Sequence, residues 1–177
     1  MTPSGRPERR EARAVIRVGI GYDSHRFEPD RAFILGGQRI AFEKGLVGHS
    51  DADAVAHAVI DALLGAAGAG DLGAMFPDSD PRWKDADSLV MLRLAREHIA
   101  RDGFHPVQAD ITIVCEKPHL GVYKQAMAQA IAGELGIAPD AVGIKAKTNE
   151  GMGFVGRGEG VAVFAVATVE ERPSKTS

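Results

Sequence analysis

The chain has 177 residues, 45% hydrophobic and 25% charged, with a formal net charge of -3. That length suits one domain with its own core, and the acidic balance excludes the basic face of a general nucleic-acid binder. Its single cysteine, Cys115, excludes an internal disulfide framework and points to a reducing, cytoplasmic setting, and no apolar run approaches the ~20 residues of a membrane helix.

Residues 1–14 are polar, lack the apolar segment of a secretory signal and read as a disordered tail. One domain is expected over 15–171, and 172–177 read as a second disordered tail. From Val15 to Tyr22, Ile16, Val18, Ile20 and Tyr22 alternate with Arg17, Gly19 and Gly21, which predicts a strand whose apolar side is buried. Residues 32–35 and 39–42 flank Gly36-Gly37 and predict a hairpin. Ser50, with Asp53 three residues on, predicts a capped helix start. That helix runs to about Leu64, and the 65–70 stretch ends it. Residues 71–84 read as a loop rich in Asp, Pro and Gly, with one exposed aromatic, Phe76. A second helix is expected over 88–101 with Gly103 as its stop, a strand over 107–115, and a third helix over 122–135 before Gly136. A strand over 142–147, a glycine-rich loop over 149–160 and an apolar strand over 161–169 complete the domain. Strands and helices mix without a strict βαβ repeat. The pattern fits an α+β fold, a single mixed sheet with helices packed on one face.

Several segments carry residue types suited to chemistry. Asp23 and His25 follow the first strand, and on an extended backbone residues two apart point the same way. His57 falls at the edge of the apolar face of the first helix, one turn from Asp53 and from Asp61, either of which could orient its second nitrogen. Each pair alone also suits a turn cap or a satisfied half-buried histidine. Together, Asp23, His25 and His57 make three ligands and leave a fourth tetrahedral position open, the pattern of a catalytic zinc. Cys115, without a thiol neighbour, is not expected to join them. His49 and Ser50 sit at a helix N-terminus, where free N–H groups suit phosphate oxygens. Carboxylates of Asp71, Asp78 and Asp80 could hold hydroxyls or simply form turns. Gly151, Gly153 and Gly156 match G-x-G-x-x-G by letter, but an apolar strand follows where the dinucleotide motif needs a helix, so a nicotinamide site is rejected. In that loop Thr148 could donate a hydrogen bond, Glu150 could hold a hard cation and Arg157 could meet an anion.

The strings 19–25 (GIGYDSH), 34–37 (ILGG), 49–53 (HSDAD), 61–66 (DALLGA), 76–78 (FPD) and 153–160 (GFVGRGEG) resemble, in order and in one register, the motifs of the cyclodiphosphate synthases. The resemblance covers about residues 17–170. It implies a homotrimer with a central apolar channel and active sites between subunits. It implies Zn²⁺ on Asp23, His25 and His57, and Mg²⁺ or Mn²⁺ on the substrate diphosphate with help from Glu150. His49 and Thr148 would stabilise the transition state, and Ser50 would hold the 2-phosphate. Asp71, Leu72 and Gly73, with Phe76, Pro77, Asp78, Ser79 and Asp80, would line the erythritol side. Cys115, Glu116, Lys117, Pro118, His119, Leu120, Gly121 and Lys147 would form the cytidine pocket. Ser24 and Asn149 would add substrate contacts, and Phe154 and Arg157 would bind near the trimer axis. His119 stands where several relatives carry lysine, and Lys147 where some carry threonine. The implied reaction converts 4-diphosphocytidyl-2-C-methyl-D-erythritol 2-phosphate to the 2,4-cyclodiphosphate with release of CMP. Alternatives are a trimer that only binds an isoprenoid diphosphate in its channel, and a metal-dependent phosphohydrolase. Neither nucleic acid nor membrane is an expected partner.

Overall fold

The computed structural model describes residues 15–172. The two expected tails therefore lie outside the described residues, apart from Arg172, whose backbone N–H donates to Gly103 O at 2.9 Å. In chain order the elements are β1 (Val15–Pro29), β2 (Ile34–Leu35), β3 (Gln38–Arg39), β4 (Lys44–Leu46), α1 (Ala54–Ala67), α2 (Leu72–Met75), α3 (Ser88–Arg101), β5 (Phe104–Val114), α4 (Lys124–Leu135), β6 (Val142–Lys147), α5 (Gly153–Gly156) and β7 (Gly160–Glu171). One five-stranded sheet has the order β4-β1-β7-β5-β6, and β2 with β3 forms the separate hairpin. β1 and β7 pair antiparallel along most of their length, β5 pairs antiparallel with β7, and β5 with β6 is parallel. The α+β class and the single mixed sheet expected from sequence are present.

β1 runs seven residues beyond the expected strand, so Asp23 and His25 lie within it and not in a turn after it. Its burial reverses expectation. Ile16, Val18, Ile20 and Tyr22 are exposed in the single chain, at 53%, 64%, 70% and 48%, whereas Gly21 on the other side is buried. The cause is helix α1, which packs on the glycine side. A Cβ on Gly19 would come 2.1 Å from Ala62 O, and one on Gly21 would come 1.9 Å from Ala58 O. No other side chain admits such an approach. The apolar side of β1 instead continues across the sheet onto β7, where Phe164 and Val166 are also exposed and Tyr22 and Phe164 lie 5.0 Å apart between ring centroids.

Helix α1 is almost wholly buried, with Val55, Val59, Ile60, Leu63 and Leu64 in the core. Its cap is Asp53 and not Ser50: the Asp53 carboxylate accepts from Val55 N and Ala56 N at 3.0 and 3.1 Å. The same carboxylate accepts from Gly36 N and Gly37 N at 2.8 and 2.6 Å, which fastens the β2–β3 hairpin to the helix start. Both glycines have positive φ, the backbone the hairpin turn requires. Burial pushes the Asp53 carboxyl up, and the backbone donors of Gly37, Gly36 and Ala56 oppose that shift. α1 continues to Ala67 and ends on Gly68 in the left-handed region, three residues past the expected end. The loop after it holds α2 and a 3-10 turn at Pro81–Trp83, both short enough to escape a periodicity reading. α3 matches its expected bounds, and α4 begins at Lys124 behind a 3-10 turn at Gly121–Tyr123.

Gly21→Ala is expected to lower stability by about 3 kcal/mol, the upper end for overpacking, because backbone and not a flexible side chain blocks the new Cβ. Gly65→Ala, in the interior of α1 with nothing nearer than Ile20 O at 4.0 Å, is expected to raise it by about 0.5–1 kcal/mol. Denaturant unfolding midpoints of the two variants check the pair.

Candidate metal centre

Three side chains from two elements converge. Asp23 and His25 project from the same side of β1, and His57 comes from the first turn of α1. Asp23 Oδ2 lies 2.9 Å from His25 Nε2 and 3.1 Å from His57 Nδ1, and the two ring nitrogens are 3.3 Å apart. The donor atoms all lie within 4.8 Å of one another. Zinc bonds to such ligands are about 2.0–2.1 Å, so a tetrahedral ion holds its donors roughly 3.3 Å apart. The donor set and its spacing fit a divalent metal. His25 Nδ1 donates to Val47 O at 2.7 Å. A carbonyl only accepts, so the proton sits on Nδ1 and the Nε2 lone pair is left facing the cluster.

Burial alone would raise the Asp23 carboxyl, but hydrogen bonds and charge from His25 and His57 outweigh it and hold the group well below the usual carboxylate range. Burial works against protonated His25, and the bond and charge of Asp23 outweigh that too, so His25 titrates above its ordinary value. Without a cation, the Asp23 carboxylate favours the protonated form of His25.

The cluster opens into a cavity of about 260 Å³, also lined by His49, Ser50, Leu72, Phe76, Asp78, Trp83 and Met91. His49, Ser50, Leu72, Phe76 and Asp78, singled out from sequence, thus share the space in front of the three ligands. Phe76 is not an exposed aromatic. It is 3% exposed and packs edge-on against Trp83, with ring centroids 4.8 Å apart. Trp83 and Ser88 went unnoticed in the sequence. The lone tryptophan in a polar loop was the available signal for the first, whereas Ser88 looked only like a helix start. His49 Nε2 and Trp83 Nε1 are buried without a hydrogen-bond partner among the described residues; leaving such a group unpaired costs about 1–3 kcal/mol.

Other expected residues serve the walls or lie elsewhere. Neither Asp53 nor Asp61 orients His57. Asp53 is used by the hairpin and helix start, and Asp61 accepts from Leu72 N at 2.7 Å, fixing α2 over the site. Burial pushes the Asp61 carboxyl up. Asp71 caps α2 through Ala74 N, and Asp80 caps the Pro81–Trp83 turn and pairs with Arg82. Gly73, Pro77 and Ser79 are exposed along this loop. Ser24 lies between the two ligands, so strand alternation turns it to the opposite side of β1, where it is exposed.

Thr148 does not line the metal cavity of its own chain. It lines a separate cavity of about 220 Å³ with Cys115, Pro118, His119, Leu120, Gly121 and Lys147. Burial pushes the Cys115 thiol up to about 11, so it remains a neutral wall group whose Sγ–H donates to Lys117 O. Glu150 accepts from Thr148 Oγ1 at 2.9 Å, and Asn149 N donates to Glu116 Oε2 at 3.0 Å, which ties the glycine-rich loop to the 115–121 segment. Glu116, Lys117 and Arg157 border a third hollow of about 280 Å³, and Arg157 pairs with Glu159. Phe154 is exposed on α5, the four-residue helix inside the glycine-rich loop. No helix among the described residues is long and apolar enough to cross a membrane.

The sequence matches the YgbB family model over residues 16–170. A 2-C-methyl-D-erythritol 2,4-cyclodiphosphate synthase from Symbiobacterium thermophilum is 52% identical over 155 residues, 88% of this chain and 99% of that protein. Among solved structures, the bifunctional IspDF from Campylobacter jejuni superposes with a TM-score of 0.87 at 38% identity, covering 90% of this chain; the chain spans 43% of that longer protein. A CDP-bound form of a 2C-methyl-D-erythritol-2,4-cyclodiphosphate synthase superposes with a TM-score of 0.80 at 37% identity, covering 86% of this chain and 99% of that one.

The raised titration of His25 has two opposite consequences. A group whose folded pKa lies above its unfolded value adds stability that is complete below the unfolded value, about 6.5 for histidine, and is lost as pH rises through the folded value. The metal-free chain should lose that contribution as pH rises from 6.5 through the raised value, while divalent-metal affinity should rise over the same window as the proton leaves Nε2. Thermal midpoints and metal titrations across pH 6–9, repeated on His25→Ala, check both slopes; in the variant the stability slope should flatten.

Proposed function

Because the chain belongs to the YgbB family of 2-C-methyl-D-erythritol 2,4-cyclodiphosphate synthases, we propose how its own residues divide the work of that reaction. The chain is a phosphorus–oxygen lyase of the non-mevalonate isoprenoid pathway. It converts 4-diphosphocytidyl-2-C-methyl-D-erythritol 2-phosphate to 2-C-methyl-D-erythritol 2,4-cyclodiphosphate and CMP. An oxygen of the 2-phosphate attacks the β-phosphorus of the same molecule, and the bond from that phosphorus to the CMP oxygen breaks. CMP leaves with the electron pair, and the ring is closed without water.

The observation that carries the reading is the Asp23–His25–His57 cluster in the wall of a cavity that His49 and Ser50 also line. Asp23, His25 and His57 would hold Zn²⁺, and Glu150 would help to hold Mg²⁺ or Mn²⁺; these ions would supply neutralisation and alignment of phosphate oxygens. His49, which lines that cavity, donates to the charge that develops on the phosphoryl oxygens, and Thr148 does the same from the other side. Ser50 holds the 2-phosphate. The loop of Asp71, Leu72 and Gly73, with Phe76 to Asp80, encloses the erythritol carbons, and Asn149 adds a polar contact. Residues 115–121 and Lys147 take the cytidine; a 37%-identical relative has been solved with CDP bound.

Within one chain the metal cavity and the cavity beside Thr148 are separate. One substrate reaches both when the Thr148 cavity of one subunit faces the metal cavity of the next. The exposed apolar side of β1 and β7 supplies the surface for such an assembly. Three copies arranged around it form a homotrimer with an apolar channel, where Phe154 and Arg157 lie near the axis and an isoprenoid diphosphate finds room for its tail.

His57→Ala should lose one bound zinc per chain and lower turnover by at least about 10³-fold, as loss of a metal used for charge stabilisation demands, while sedimentation still reports the wild-type assembly. Product analysis separates the rival chemistry: the reading requires equimolar CMP and cyclic diphosphate. Release of inorganic phosphate would favour a phosphohydrolase.

A further inference from the structure

The far side of His57 is as fully built as the side that faces Asp23 and His25. His57 Nε2 points into the protein, 2.9 Å from Ser88 Oγ and 3.0 Å from Ser50 Oγ. Ser88, at the first position of α3, is fully buried. Its hydroxyl donates to Asp51 Oδ1, and its backbone N–H donates to Asp51 Oδ2 at 3.2 Å. Asp51 Oδ1 also accepts from Asp53 N at 3.2 Å. The carboxylate is therefore fixed by the start of α1 and the start of α3 together.

The direction of these bonds follows from proton counting. A serine hydroxyl has one hydrogen and two lone pairs. Ser88 gives its hydrogen to a carboxylate, so toward the imidazole it can only accept. Ser50 Oγ, which accepts from Ala52 N at 3.3 Å, lies 3.3 Å from Ser88 Oγ and is able to donate to it. The Ser88 arm of the network then runs from the imidazole toward Asp51. With a cation held at Nδ1, the one N–H of a neutral imidazole goes to Nε2, where Ser88 Oγ accepts it. The lone pair is left on Nδ1, the atom 3.1 Å from Asp23 Oδ2 and 3.3 Å from His25 Nε2.

We propose that Ser88 and Asp51 are positioning residues for the metal: held by the Asp51 carboxylate, the Ser88 hydroxyl fixes His57 as the Nε2–H tautomer and presents Nδ1 as a ligand. The inference rests on the metal reading above and extends it to two residues behind the ligand. Val47 O plays the matching part for His25. Outer partners of this kind raise ligand basicity and hold the ring at one orientation. The device is rigid here because the hydroxyl that holds His57 belongs to the buried first residue of α3, so the packing of α3 on α1 sets the ring angle.

The test uses the full-length assembled protein. Zinc affinity is measured by competition with a chromophoric chelator, and site geometry by the d–d absorption of the Co²⁺-loaded protein. Ser88→Ala is expected to weaken zinc about 10–100-fold and to change the Co²⁺ spectrum. Asp51→Asn should weaken zinc less, in the same direction. The double variant should bind no more weakly than Ser88→Ala alone, because Asp51 acts through Ser88. A purely structural role would lower the thermal midpoint of the metal-free protein yet leave affinity and spectrum unchanged, and that result overturns the proposal. Multiplying losses in the double variant would also overturn it. Wild-type protein that binds no zinc sensitive to His57→Ala would overturn the metal reading and the inference together, whereas intact wild-type binding with an unaffected Ser88→Ala overturns the inference alone.

Discussion

The close contact between α1 and β1 is the constraint on which the rest of the molecule depends. Where Gly19 and Gly21 meet Ala62 and Ala58, helix backbone lies against strand backbone with no side chain between them. That distance brings His57, at the start of the helix, within 3.1 Å of Asp23 on the strand. A layer spaced by ordinary side chains would put the imidazole beyond reach. The same contact turns the apolar side of β1 away from the helices. One pair of glycines thus sets both the geometry of the ligand cluster and the character of the opposite sheet face.

Around that contact the structure is a set of anchored ends. Asp53 binds the hairpin to the start of α1, Asp61 binds α2 over the cavity, and Asp51 binds the starts of α1 and α3. Each carboxylate receives backbone N–H groups that would otherwise be unpaired at a helix end or turn. Three acidic residues of one short stretch therefore have structural duties, whereas Asp23 faces the cavity with two imidazoles. Asp51 and Asp53 just before α1, and Asp61 within it, lie close to His57 in the chain, which is why a change near α1 touches both the fold and the cluster.

Much of this was legible in the sequence, and the exceptions have physical causes. Period-two alternation located β1 and β5, an unbroken apolar run located β7, apolar spacing located α1, and Gly103 and Gly136 marked the ends of α3 and α4. Alternation does not say which side is buried. With glycine on one side of β1, the apolar side was the natural choice, and the helix took the other. Ser50 and Asp53 both suit a helix cap, and only the fold decides that Asp53 receives the N–H groups while Ser50 turns to His57. The cluster of Asp23, His25 and His57 was readable since strand and helix periodicity aim each of them independently. Ser88 and Trp83 were not, because their roles depend on contacts between segments more than twenty residues apart. The separation of Thr148 from the metal cavity was likewise invisible, as sequence order carries no distance.

The account stands or falls on a cation held jointly by strand and helix through defined atoms. Zinc-edge anomalous diffraction from crystals of the zinc-loaded protein measures that directly. The account predicts one strong peak per chain within bonding distance, about 2.0–2.2 Å, of Asp23 Oδ2, His25 Nε2 and His57 Nδ1. Zinc bound elsewhere, or bound to His57 through Nε2, would contradict it.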